Sequence, residues 1–288
     1  MTLKPYLDLI RFDRPVGWLV LLWPTLIALF VANGGWPGWH LMGVFCLGVF
    51  LTRSAGCAIN DYADRHWDGA VERTQNRPLV NGTLTPKQAL GCFALLMLVS
   101  LGLVLTLNTQ SLWVSVVALL LAAGYPFTKR VTHYPQLCLG LAFSMGIVMA
   151  YTASEQPLSL QVWLFFAANM AWTLAYDTLY AMTDKPDDLK VGIKSTAIAF
   201  GERDHQAVAW IQALALVLWA AAGYVAELGF PFALSLAIAA NLFLNQHKHI
   251  AQRTRQAYFE AFVSNHRVGA VLFAGVVLDL VYQSRLNG

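Results

Sequence analysis

The chain has 288 residues, 57% of them hydrophobic and 12% charged, with a mean hydropathy of +0.53 and a formal net charge of +3. Apolar runs recur along its whole length, which excludes a soluble domain built on one large core and predicts a polytopic membrane protein. The slight basic excess gives no ground for a nucleic-acid partner.

Roughly 17 to 25 mostly apolar residues suffice to cross a bilayer. Segments of this kind fall near 15–33, 40–59, 89–107, 111–124, 135–152, 160–180, 205–226, 231–246 and 267–284. An all-α polytopic membrane protein with nine transmembrane helices, the fourth of them short, is therefore expected. Lys4, Arg11 and Arg14 lead straight into the first segment with no small-residue cleavage site. That segment reads as a signal anchor, not a cleavable signal peptide. Cys46, Cys57, Cys92 and Cys138 lie within or beside the spans without a CxxC pair and read as small buried residues.

With nine spans, the N-terminus and the connections near 60–88, 125–134, 181–204 and 247–266 share one side. That side receives nearly all the Lys and Arg, from Lys4 to Arg267, while the other receives only Arg285. The positive-inside rule makes the loaded face cytoplasmic. Connections on the outer side, such as 32–39 and 107–112, are short and almost uncharged. Function is accordingly expected on the inner face, where 60–88 and 181–204 are long enough to act as lids.

Spans two and six share one feature: each loses its apolar character at its inner end and passes into an Asp-rich segment. After span two comes NDYADRHWD, in which Asn60, Asp64 and Asp68 follow one another at intervals of four. On a continuing helix all three line one face, and Asp61 points elsewhere. After span six comes DTLYAMTDKPDD, in which Asp177, Asp184 and Asp188 share a face until Pro186 interrupts the helix. Hard oxygen donors in such rows suit Mg2+, which prefers a few protein carboxylates supplemented by phosphate oxygens and water. Two clusters at one membrane depth can hold a diphosphate through metal bridges and make it a better leaving group. A solvated acidic helix end is the plainer alternative for either cluster alone.

Basic residues near these motifs fit the same ligand. Arg53 lies two turns before Asn60, inside the membrane, where an unpaired charge is costly. Arg73 and Arg77 follow in VERTQNRPL, Lys129 and Arg130 in YPFTKR, and Lys194 in GIKSTAIAFG. Positive-inside decoration is the competing reading for all but Arg53. His247 and His249 stand two apart, off a common helical face, and read as inner surface. Gly140 and Gly146 read first as helix-packing positions.

These motifs, from RPVGW at Arg14 to the last span, resemble those of the UbiA superfamily of intramembrane prenyltransferases, most closely the branch acting on 4-hydroxybenzoate. The resemblance implies nine transmembrane helices in a single domain over 1–288, around a central cavity capped by cytoplasmic loops, in a bacterial cytoplasmic (inner) membrane. It implies that Asn60, Asp64, Asp68, Asp177, Asp184 and Asp188 bind a Mg2+–diphosphate. Arg73, Arg77, Lys129, Arg130 and Lys194 would contact or cap that diphosphate, Arg53 would face the carboxylate of the acceptor, and Arg14 would help close the pocket. The partners implied are a polyprenyl diphosphate, 4-hydroxybenzoate and membrane lipid, and the pathway is ubiquinone biosynthesis.

The reaction implied is ionisation of the allylic C–O bond, assisted by Asp64, Asp184 and the metal, in a pocket that excludes water. Tyr125, Phe143, Tyr151, Trp172, Tyr176 and Tyr180 are candidates to stabilise the cation by their ring faces, and Asp177 is the candidate base. A secondary transporter also has many spans and buried charges, but it places them near mid-membrane. A lipid-binding scaffold would give no reason for six aligned metal-type ligands.

Overall fold

A computed structural model describes residues 3–70 and 74–286, apart from the side chains of Ala70, Lys129 and Val191. Among the described residues there is no strand. The α-helices are α1 (Lys4–Leu9), α2 (Val16–Ala32), α3 (Trp39–Asp64), α4 (Pro86–Val104), α5 (Thr109–Val131), α6 (Pro135–Ala153), α7 (Leu160–Val191), α8 (Thr196–Phe200), α9 (Asp204–Val225), α10 (Phe230–Ile250) and α11 (Arg255–Leu286).

Apart from the short α1 and α8, these helices fall on the apolar segments read from the sequence. Six stretches have the length and hydropathy of a membrane span: α3, α4, α5 as far as Thr128, α6, the run from α8 through α9, and α11. Helix α2 is apolar but has only 17 residues. Helices α7 and α10 fall below that hydropathy for a physical reason. They carry polar side chains inside the bundle, among them Asn169, whose amide donates to Ser144 Oγ at 2.9 Å, and Gln246, whose amide donates to Ser264 Oγ at 2.9 Å. The chain is thus a multi-pass membrane protein with an all-helical bundle.

Pro186, expected to interrupt its helix, does not, and Pro126 likewise lies inside one. Helix α5 runs through Pro126 to Val131, and α7 runs through Pro186 to Val191, where Gly192 closes it in the left-handed conformation at φ 74°. A proline forfeits one backbone hydrogen bond, and a long helix held on several sides tolerates the loss. The fourth segment is therefore longer than the sequence suggested, and much of the supposed loop at 181–204 is helix.

The core lies where α2, α6, α7 and α11 meet, around Ile27, Leu29, Ile147, Phe165, Trp172 and Leu272. Small residues permit the approach. A Cβ on Gly146 would sit 2.5 Å from Thr25 Oγ1, and one on Gly140 would sit 3.0 Å from Met170 Cγ, so both glycines serve packing. Helices α4 and α5 are peripheral, with Leu98, Trp113 and Leu120 exposed as a lipid-facing surface.

The segment between α7 and α9 is tied down. Thr178 and Thr196 share a hydrogen bond of 2.7 Å, Gln136 Oε1 accepts from Thr196 N, and Lys185 reaches Gly201 O and the Asp204 carboxylate. Asp187 accepts from both Nη1 and Nη2 of Arg255, at 2.7 and 3.2 Å, fixing the end of α7 to the start of α11.

Candidate active site

Helices α3 and α7 carry the two acidic motifs at their C-terminal ends. Arg53, two turns before the first motif, meets side chains at the start of the second. Arg53 on α3 interacts electrostatically with Tyr176 and Tyr180 on α7 and with Tyr125 on α5. Its Nε donates to Gly17 O at 3.3 Å, and its Nη1 donates to Cys57 Sγ at 2.8 Å. Cys57 is therefore more than a space-filling residue. Among the described residues Arg53 has no ion-pair partner, and its half-buried, always-charged donor fork lies within electrostatic reach of the tyrosines. Tyr176 Oη is buried beside Thr173 without a hydrogen-bond partner of good geometry.

From Arg53 to Asn60 is seven residues, or about 10 Å along the helix. Asn60 and Asp64 lie on the last turns of α3, and Asp68 opens a 3-10 turn over Asp68–Ala70. Asp68 is buried and accepts from Arg77 Nη1 at 2.5 Å. Burial pushes its carboxyl up to about 6, against the lowering effect of Arg77, and the neighbouring Asp64 and Asp61 carboxylates add to the rise. On α7, Asp177 and Asp188 are half-buried and Asp184 is buried.

The cations divide. Arg77 sits at the first motif, between Asp61 and Asp68. Arg130 lies over the ring of Trp67 at 4.7 Å, linking the end of α5 to the segment after α3. Lys194 donates to Val131 O at 3.3 Å, on the same side. Arg14 lies at the surface, where its side chain is 62% exposed and pairs with Asp13 at 3.6 Å. Arg73 and the Lys129 side chain lie outside the described residues. The tyrosines also divide, with Tyr125, Tyr176 and Tyr180 at Arg53. Tyr151 and Trp172 belong to the core, where Trp172 Nε1 donates to Asn265 Oδ1.

Sequence reasoning missed Arg11 and the place of Asp61. Asp61 is 1% exposed and receives Arg11 Nη2 on both oxygens, at 2.7 and 3.0 Å. A buried carboxylate needs such partners, and the signal available was an Asp placed off the metal face. His247 and His249 diverge as expected, to Gln212 and Glu260 respectively.

A divalent cation is the group this constellation implies. Among the described residues no three His, Cys, Asp or Glu side chains converge into a metal cage. The donors are hard oxygens divided between the ends of α3 and α7. That fits an ion completed by phosphate oxygens and water, and does not fit one held by protein alone.

A family model, UbiA prenyltransferase family, matches residues 21–283. The chain belongs to the UbiA prenyltransferase family. A 4-hydroxybenzoate octaprenyltransferase of Serratia proteamaculans is 52% identical to this UbiA-family chain over 276 residues, covering 96% of the chain and 95% of the relative. One of Colwellia psychrerythraea is 50% identical over 269 residues, covering 93% and 94%. Among solved structures, the apo form of a UbiA homolog from Aeropyrum pernix superposes with a TM-score of 0.80 at 25% identity, covering 91% of this chain and 98% of that one. A UbiA homolog from Archaeoglobus fulgidus bound to GPP and Mg2+ shares the fold, with a TM-score of 0.74 at 19% identity and coverage of 96% and 99%. This UbiA-family enzyme is a prenyltransferase.

Proposed function

We propose that the protein transfers a polyprenyl group from polyprenyl diphosphate to the ring carbon ortho to the hydroxyl of 4-hydroxybenzoate. The products are 3-polyprenyl-4-hydroxybenzoate and diphosphate, in ubiquinone biosynthesis. The observation that carries this reading is a half-buried guanidinium, that of Arg53, held by Gly17 and Cys57 within electrostatic reach of three tyrosines and two turns before the first acidic helix end. The curated relatives named for the same acceptor support it.

In this reading nine helices span a bacterial cytoplasmic membrane as a single domain, with the acidic ends cytoplasmic. Asn60, Asp64 and Asp68 face Asp177, Asp184 and Asp188 across the diphosphate, and Mg2+ is the ion held between them. Bound there, the ion supplies Lewis-acid stabilisation of the departing diphosphate. Arg73, Arg77, Lys129, Arg130 and Lys194 add positive charge around the same leaving group. Arg53 takes the acceptor carboxylate in bidentate fashion, and the free Tyr176 hydroxyl is placed to add a hydrogen bond. The rings of Tyr125, Tyr176 and Tyr180 shield the allylic carbon from water and offer their faces to its developing charge. Carbon–carbon bond formation follows, and Asp177, one residue from Tyr176, takes the ring proton. The prenyl tail lies along the apolar helix surfaces, which is why the site sits at a membrane.

The test uses purified protein in detergent with labelled 4-hydroxybenzoate and a prenyl diphosphate, with Mg2+ or with EDTA, beside Asp64→Ala and Asp184→Ala. A ring-prenylated acid formed only with Mg2+, and lost in both variants, is the expected result. No product at any chain length, with tight diphosphate binding retained, would move the acceptor assignment to another aromatic compound.

A further inference from the structure

Asp61 binds two cations that come from opposite directions in the chain. Arg11, from the segment between α1 and α2, chelates both of its oxygens, and Arg77 Nη1 reaches Asp61 Oδ1 at 3.1 Å. The same Arg77 nitrogen lies 2.5 Å from Asp68 Oδ2. Two guanidinium groups and two carboxylates thus form a neutral chain, Arg11–Asp61–Arg77–Asp68, that is mostly shut away from water. Its outer member is a residue assigned above to the cation-binding set, and the inner three are not donors to that ion.

A carboxylate oxygen engaged by an arginine at 2.5 Å is poorly placed to ligate a divalent ion at the same time. For Asp68 to give both of its oxygens to the ion, Arg77 has to let go of Oδ2. Releasing a buried arginine with nowhere to go is costly, because it leaves an uncompensated charge. Asp61 removes that cost, since Arg77 already touches it and keeps one carboxylate when the other departs. Arg11, bidentate on Asp61, holds that carboxylate still.

We propose that Asp61 is a positioning residue that lets Arg77 exchange Asp68 for the substrate's diphosphate. In the unloaded protein Arg77 occupies Asp68. When a divalent ion and a prenyl diphosphate arrive together, Asp68 passes to the ion and Arg77 passes to a phosphate oxygen while remaining on Asp61. The inference rests on the two-motif site of the preceding reading.

Direct binding separates the two. Mn2+ titrations followed by electron paramagnetic resonance, alone and with geranyl thiodiphosphate as an unreactive donor, are made on the wild type and on Asp64→Ala, Asp61→Asn, Arg77→Gln, Arg65→Gln and the Asp61→Asn/Arg77→Gln pair. Asp61→Asn is expected to weaken Mn2+ binding roughly 10- to 100-fold, as loss of a group that orients a metal ligand does. Arg77→Gln is expected to tighten Mn2+ binding in the absence of the thiodiphosphate and to weaken it in its presence. Adding Arg77→Gln to Asp61→Asn is expected to restore the Mn2+-only affinity, an outcome that simple loss of structure would not give.

Arg65→Gln removes a charge of the same sign nearby, from a side chain that lies over Tyr62 and hydrogen-bonds the Tyr62 carbonyl. It controls for bulk electrostatics and should leave Mn2+ affinity within about twofold, because its half-buried charge is no member of the Arg11–Asp61–Arg77–Asp68 chain. An unchanged affinity in Asp61→Asn, an unrestored double variant, or equal tightening in Arg65→Gln and Arg77→Gln would each overturn the proposal. If Asp61→Asn does not fold, the opposite signs expected for Arg77→Gln with and without the thiodiphosphate decide the matter alone. Mn2+ binding that survives in Asp64→Ala would instead overturn the two-motif site itself.

Discussion

Arg53 lies against the bare backbone of Gly17: a Cβ at that position would stand 3.1 Å from both Nε and Nη2 of the guanidinium. The contact fixes one side of the fork while Cys57 holds the other, so the remaining N–H groups point in a set direction. Gly17→Ala is expected to displace the fork by a few tenths of an ångström. The KM for 4-hydroxybenzoate should rise by roughly three- to tenfold, because misplacing a positioning group is felt strongly, with the KM for prenyl diphosphate unchanged. Arg53→Ala should cost about 10- to 100-fold in kcat/KM for the acceptor, the worth of a charge-assisted pair.

Asp187 belongs to the acidic run, and both of its oxygens are engaged by Arg255. Asp64→Asn and Asp184→Asn should each raise the half-saturating Mg2+ concentration by about tenfold or more, since each removes a charged donor. Asp187→Asn should not move it. A Mg2+ dependence of initial rates for the three variants distinguishes the donor set from its neighbour.

The Asp187–Arg255 pair has a pH signature in stability. The Arg255 hydrogen bonds, with a further one from Lys190, hold the Asp187 carboxyl below its usual range against the opposing effect of burial. A carboxyl lowered by folding contributes stability that is complete above its unfolded-state value, near 4, and lost as pH falls through the folded one. Thermal unfolding in detergent should show Asp187→Asn destabilised by about 1 kcal/mol at pH 7. The gap to wild type should stay constant down to about pH 5 and close below pH 4.

Gly146 meets Thr25 where α6 crosses α2. Gly146→Val places branched carbon where the space is already filled, and should destabilise the protein by about 1 to 3 kcal/mol. The same unfolding measurement checks this, with Gly43→Val as a comparison, because a Cβ at Gly43 meets nothing within 4 Å.

The pairs Asn60–Asp64 and Asp184–Asp188 were legible because a four-residue interval survives translation into a helix without any knowledge of neighbours, whereas Asp68 leaves the expected face because α3 ends at Asp64 and Asp68 opens a separate 3-10 turn. The all-α class and Arg53 were legible for the same reason: an apolar run and a charge within it are local facts. Arg11 was not, because its partner is 50 positions away and its exposed-looking surroundings resemble those of Arg14. Pro186 was misread because the rule that proline ends helices describes isolated segments, and Pro126 sits inside a helix in the same way. Here flanking helices and side-chain ties hold the helix on either side of each break.

The unbroken course of α7 through Pro186 makes it a ruler. Tyr180 and Asp184 stand four residues apart on one rigid rod, so the proposed seats of the ring and of the leaving group keep an interval of about 6 Å that no loop rearrangement can alter. Inserting one residue between them would swing every downstream acid by about 100° around the axis. Such a variant would still bind each reactant, and would bring them together out of register.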